Sequence, residues 1–266
     1  MGKPEDFARL YYTQGADELI YMDVVASLYG RNSLLHIVEK TSKEIFIPLT
    51  AGGGLRSLKD IQAILRAGAD KISLNTGALQ NPDMIREAAN AFGSSTIVIS
   101  IEATKRPDGT YECYTDNGRI PTGVNALDWA KRVTELGAGE ILLTSIDREG
   151  TGKGFDMELV QKITSAVKIP VIVSGGAGKS AHVLDVLKTG GADAVALASI
   201  LHYKAIREIR NSNSVFTEGN TNFFQSSDGF KKIEEISLPD LKMCLQKQGL
   251  NIRPAPPSVT GVATHD

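Results

Sequence analysis

Residues 68–76, GADKISLNT, decide the reading of the fold, because they return almost intact as residues 191–199, GADAVALAS. The copies lie 123 residues apart, and the same offset carries the glycines of TAGGGLRS (Gly52, Gly53) onto those of VSGGAGKS (Gly175, Gly176). An offset of 122 carries residues 16–20, ADELI, onto 138–142, AGEIL, and residues 37–40 onto 159–162. Solenoid repeats recur at roughly 20 to 50 residues, so this longer repeat is a duplicated half-domain.

Working outward, short apolar runs alternate with longer amphipathic segments, the pattern of βα units around a buried parallel sheet. Strands are expected at 18–23, 46–51, 71–74, 96–102, 140–145, 170–174 and 194–198. Helices are expected at 4–14, 33–42, 58–67, 82–91, 126–136, 157–166 and 181–189. Gly15, Gly68, Gly137 and Gly190 follow helices where left-handed caps belong. Residues 110–115 run into Asp116-Asn117-Gly118, a hairpin turn signal interrupting the unit after Glu102.

Seven βα units are legible, whereas the repeat calls for eight. The second half begins with the strand at 96–102, and subtracting 122 places its counterpart before residue 1. The expected fold is therefore an α/β (β/α)8 TIM barrel of duplicated half-barrels with strand 1 missing. We expect a start that lies upstream, with a barrel completed in another way as the alternative. Residues 1–253 read as one barrel domain with an inserted loop at about 211–229, and 254–266 as a disordered tail.

The totals limit the function. A chain of 266 residues with net charge −2 gives no electrostatic case for nucleic acid or an anionic membrane. Two cysteines, Cys113 and Cys244, without a CxxC pattern, fit a reducing compartment and no structural metal. No apolar leader or long apolar run appears, which predicts a cytoplasmic protein.

Active sites of such barrels sit on the loops after the strands. Gly52-Gly53-Gly54, Asn75-Thr76, Gly175-Gly176-Ala177-Gly178 and Ala198-Ser199 fall there, leaving backbone amides open to a phosphate. Two copies related by the repeat predict two phosphate sites across one barrel mouth, hence an elongated bisphosphate. Acids at the same ends are Asp23, Glu102, Asp147 and Glu149, candidates for proton transfer or for holding loops. At the other end Glu18, Lys71 and Glu140 begin their strands, as a salt-bridged plug would. The four histidines lack ligand spacing, so no metal or cofactor is expected.

The stretches GADKISLNTGALQNP, GAGEILLTSIDREGTGKGFD, SGGAGK and GADAVALASILHY resemble the cyclase subunit of imidazole glycerol phosphate synthase, of histidine biosynthesis. The likeness runs from about Gly2 to Arg253 apart from 211–229, and Asn75 in SLNTGALQNP sets it apart from the related sugar-phosphate isomerase. The resemblance implies a barrel that uses ammonia on a phosphoribulosyl aminoimidazole-carboxamide nucleotide with two phosphates. The products would be imidazole glycerol phosphate and aminoimidazole carboxamide ribonucleotide. It implies one phosphate near Gly53, Gly54, Asn75 and Thr76, and the other near Gly175, Gly176, Ala198 and Ser199, with Gly150 close by. Asp23 and Thr144 would be further substrate contacts, and Asp147 and Glu149 would stand with Glu102 in the catalytic set.

The resemblance also implies a glutaminase subunit docked at the strand-start face, with Glu18, Lys71 and Glu140 gating ammonia. The family's two acid-base aspartates end strands 1 and 5; the first falls in the missing strand, and the second aligns with Glu102, one methylene longer. Two further readings follow from these departures: a paralogue passing ammonia to another acceptor, such as a surface sugar, or a non-catalytic phosphosugar-binding subunit.

Overall fold

The computed structural model describes residues 3–24, 34–211 and 233–256. Seven parallel strands form one sheet in the order β1 (Leu19–Met22), β2 (Leu49–Gly52), β3 (Lys71–Leu74), β4 (Ile97–Lys105), β7 (Glu140–Ser145), β8 (Val171–Ser174) and β9 (Ala194–Ala196). An antiparallel hairpin, β5 (Tyr111–Thr115) and β6 (Ile120–Asn125), hangs from the end of β4. Helices α1 (Pro4–Thr13), α2 (Leu34–Thr41), α3 (Leu58–Arg66), α4 (Thr76–Gln80), α5 (Asp83–Phe92), α6 (Ala126–Leu136), α7 (Met157–Thr164), α8 (Ser180–Lys188), α9 (Ser199–Asn211) and α10 (Leu238–Lys247) lie before, between or after the strands. This is the TIM-barrel topology that the duplicated sequence predicts.

Packing explains why these segments take these forms. The helices are amphipathic: α3 buries Ile61 and Ile64, and α6 buries Trp129, Ala130 and Val133. Side-chain caps satisfy the free amides of several first turns. Ser57 accepts from the Asp60 amide, Asn125 from Leu127 and Asp128, and Asp156 from Leu159. Apolar side chains of the central strands fill the space between sheet and helices, with Ile72, Ile97, Ile99 and Ile141 wholly buried.

The repeated GAD motif has a structural reason. Asp70 accepts from the Leu49 amide at 2.8 Å, and its repeat counterpart Asp193 accepts from the Val171 amide at 2.9 Å. Each aspartate ties the start of its own strand to that of the preceding one. Each also returns the bond through its own amide, to the carbonyl of Leu49 or Val171.

Among the described residues the sheet is open between β1 and β9, each of which pairs on one side only. Their side chains show it: every residue of β2 is buried, whereas β1 and β9 hold only half-buried and exposed positions. The helix layer does close there. Phe7 of α1 packs with Ala205, Ile206 and Ile209 of α9, and Tyr11 Oη is 3.0 Å from His202 Nδ1.

Several boundaries differ from the sequence reading. Strand β2 starts at Leu49, and Phe46, expected inside it, is 83% exposed against the edge of Tyr12. The left-handed position after α8 falls on Gly191 (φ 73°), not Gly190. The hairpin's second strand had no sequence signal, since Pro121 and Gly123 break its pattern. The expected 211–229 insertion lies outside the described residues apart from Asn211, which ends α9, and so do residues 257–266 of the tail.

Candidate active site at the strand ends

A cavity of about 1350 Å³ runs along the inside of the sheet, from Glu18 and Glu140 at the strand starts to Gly53, Asn75, Glu102 and Glu149 at the strand ends. Its walls are the inward side chains of the parallel strands, such as Ser100, Leu142 and Ile172. Strand direction therefore sorts the candidate residues into a mouth and a floor.

At the mouth, Glu102 stands opposite Thr144 in the β4–β7 register, and both line the cavity. Burial raises the Glu102 carboxyl above the ordinary carboxylate range, opposed by the Gly118 backbone and the Asn75 side chain and reinforced by the charges of Asp116 and Glu149. Glu102 Oε2 is buried with no hydrogen-bond partner. Glu149 reaches the cavity from the loop after β7, and partial desolvation raises its carboxyl too. Two acids held above their usual range at one mouth are candidates for proton exchange with a bound ligand. Asp147 does not join them: its Oδ2 accepts from the Lys105 amide at 2.8 Å on the exposed side of β4. Asp23 lines the mouth from the end of β1, and its carbonyl abuts Gly53.

The two glycine clusters take up equivalent places. Gly53, Gly54, Asn75 and Thr76 line the main cavity, while Gly150, Gly175, Gly176, Ala198 and Ser199 line a small cavity of about 30 Å³ beside it. Gly176 sits at φ 109°, and a Cβ there would lie 2.3 Å from the Gly154 carbonyl, so backbone packs where any side chain would clash. The first cluster carries something the repeat does not foretell. The hairpin leans over it: Asn75 Nδ2 donates to the Tyr114 carbonyl at 3.2 Å, and the Asp116 amide donates to Thr76 Oγ1 at 3.1 Å. Asn117 and Gly118 of the hairpin turn consequently enter the cavity wall, a role their turn signal alone did not disclose.

At the floor, Lys71 Nζ lies 3.0 Å from Glu18 and 2.7 Å from Glu140. Burial pulls the Lys71 ammonium down, but hydrogen bonds and charge from Glu140 and Glu18 outweigh it and hold the group above its ordinary value. A second cluster here escaped the sequence reading. Lys242, only 4% exposed, binds Asp17 at 2.9 Å, and Arg253 binds the same carboxylate at 2.8 Å. The spacing of Leu238, Leu241 and Leu245 puts Lys242 on the buried stripe of α10, a signal available in the sequence. Among the described residues no group of three His, Cys, Asp or Glu side chains is placed to hold a metal ion, and no helix is long and apolar enough to cross a membrane.

Comparison with known proteins shows the family. The family model described as "Histidine biosynthesis protein" matches residues 1–207. The chain is 57% identical over 179 residues to the imidazole glycerol phosphate synthase subunit HisF of Legionella pneumophila, covering 67% of this chain and 84% of that one. Proteins of the same name from Bacillus cereus (strain Q1) and Alkaliphilus metalliredigens (strain QYMF) are 47% and 50% identical. Those matches cover 80% and 77% of this chain, and 87% and 81% of theirs.

Proposed function

Because the chain belongs to the family of histidine biosynthesis proteins, we propose that its mouth holds a bisphosphate nucleotide at both ends while ammonia reaches it from the floor. The chain is the cyclase subunit of imidazole glycerol phosphate synthase, a lyase. Its reaction takes ammonia and the phosphoribulosyl aminoimidazole-carboxamide nucleotide to imidazole glycerol phosphate and aminoimidazole carboxamide ribonucleotide.

The observation that carries the reading of the site is the pair of repeat-related glycine clusters flanking one cavity mouth, with Glu102 on the wall between them. Open amides of Gly53 and Gly54, with Asn75 and Thr76, receive one phosphate. Those of Gly175, Gly176 and Ser199 receive the other. A ligand pinned at both ends presents its middle to Glu102, whose raised carboxyl moves a proton on and off the reacting centre. Glu149 adds a second acid at the same mouth, Thr144 and Asp23 contact the substrate, and Asp147 positions the end of β4. The glutaminase subunit docks at the strand-start face, and the Glu18–Lys71–Glu140 clasp opens to admit ammonia.

The test is product formation from the bisphosphate nucleotide with excess ammonium salt and no glutaminase. Turnover that Glu102→Gln lowers by at least about 10²-fold supports the reading. Turnover indifferent to Glu102, in a variant that still binds the nucleotide, removes that residue from the mechanism.

A further inference from the structure

The turn that joins β5 to β6 holds strained backbone over the cavity mouth. Asp116, Asn117 and Gly118 take the left-handed region one after another, at φ 52°, 60° and 73°. Asp116 and Asn117 are the only residues other than glycine with positive φ among the described residues. Left-handed backbone is unfavourable for a residue with a Cβ, and it persists only where surrounding contacts hold it. Three contacts do so here. The Arg119 amide closes the turn on the Thr115 carbonyl at 3.0 Å, and the Asp116 amide donates to Thr76 Oγ1 at 3.1 Å. Asn75 Nδ2 holds the strand before the turn, donating to the Tyr114 carbonyl at 3.2 Å.

The network leaves one proton free and one carboxyl held from two sides. The Tyr114 carbonyl fixes which way round the Asn75 carboxamide sits, because only its nitrogen can donate there. The same side chain and the Gly118 amide both act on Glu102, favouring its charged form. Burial opposes them, with the charges of Asp116 on the turn and Glu149 on the loop after β7. Thr76 Oγ1 spends a lone pair on the Asp116 amide, which leaves its own proton for another acceptor. A phosphate oxygen that takes this proton polarises the hydroxyl, and a polarised hydroxyl accepts more strongly. The bond from Asp116 therefore tightens when the first glycine cluster is filled.

We propose that the turn 116–118 positions Glu102, and that Thr76 locks the turn when its hydroxyl donates to a phosphate bound at the first glycine cluster. The lock rests on the phosphate-binding role proposed for that cluster. Glycine suits position 118: at φ 73° an added Cβ would be strained and would stand 3.2 Å from Ile146 Cδ1, tight enough to push the amide off the carboxyl. Asp116 and Gly118 are positioning residues, acting through Glu102 and Thr76. One end of the ligand thereby sets the acid that serves its middle. A ligand without that phosphate loses turnover as well as affinity.

The experiment is amide NMR on the full chain labelled at glycine and assigned sequentially. Gly53 and Gly54 then report phosphate, and Gly118 reports the turn, in one spectrum. Across pH the Gly118 amide should follow a midpoint that disappears in Glu102→Gln. The midpoint should move down in Asp116→Asn, which keeps the amide and removes a charge that raises Glu102. With inorganic phosphate added until Gly53 and Gly54 stop moving, Gly118 should shift in wild type and Thr76→Ser and stay still in Thr76→Val. In ammonia-driven assays Gly118→Ala should lower kcat by about tenfold and change KM by less than about twofold. A Gly118 titration that survives in Glu102→Gln, or a phosphate response that survives in Thr76→Val, would overturn the proposal. Signals of Gly53 and Gly54 that ignore phosphate would instead overturn the phosphate reading and the lock with it, and the Gly118 titration would still decide the positioning role.

Discussion

Glu18 and Glu140 close on one ammonium, that of Lys71, from strands that are copies of each other across the repeat. Two carboxylates on one ammonium leave the clasp itself net negative, beside the two cations that Asp17 holds at the same floor, and its centre is a group that holds its proton more firmly than an ordinary lysine.

That arrangement predicts a split phenotype for Lys71→Met. The carboxylates lose their shared donor, and because Glu18 is 38% exposed, water takes up part of the loss, which we place at about 1–2 kcal/mol. Turnover driven by ammonium salt should change less than threefold. Turnover driven by glutamine, with the glutaminase subunit present, should fall by about tenfold or more. Equal losses in both assays would take Lys71 out of the ammonia route.

Glu102 should trade stability for activity. Its folded-state carboxyl is raised, so protonation favours the folded chain and ionisation opposes it. The penalty is absent below the ordinary carboxylate range and complete once pH has risen through the raised folded value. Glu102→Gln should therefore be more stable than wild type at neutral pH, with the advantage vanishing as pH falls below about 4. Urea melts of both proteins across pH measure this; an advantage that grows toward acid would refute the assignment. Glu102→Asp should raise ammonia-driven turnover by about tenfold or more, because a carboxylate misplaced by an ångström can cost about 10²-fold.

The second glycine cluster makes a prediction by contrast. In Gly176→Ala the new methyl meets the Gly154 carbonyl at 2.3 Å and the backbone stays at φ 109°, so we expect a loss of about 3 kcal/mol or more. Gly150→Ala has φ 69° with nothing within 4 Å of the new methyl, and should cost about 1 kcal/mol. Denaturant midpoints of the two variants decide it; a similar cost at both sites would mean that close backbone packing is not what requires Gly176.

Much of this was legible in the sequence where local chemistry and long-range repetition agreed. The bounds of β3 and β7 follow directly from their apolar runs and charged first residues, Lys71 and Glu140. The family resemblance set Gly150 beside Gly175, Gly176 and Ser199, and one small cavity brings the four together. Illegible features depend on contacts across large separations. Nothing near Asn75 or Thr76 signals that the hairpin, some forty positions on, bonds both side chains. Asp147 resembled its neighbour Glu149 in sequence, yet the Lys105 amide draws it away from the cavity. Helix α4 is too short, and interrupted by Gly77, to show a period.

The contact of Phe7 with Ala205, Ile206 and Ile209 joins segments about 200 positions apart in the chain. Its partners are far apart in sequence, so loop-closure entropy makes it a late event in folding, and its small apolar area makes it an early one in unfolding. The seam between α1 and α9 is therefore where native-state hydrogen exchange should first report opening, well before the amides of β3, β4 and β7.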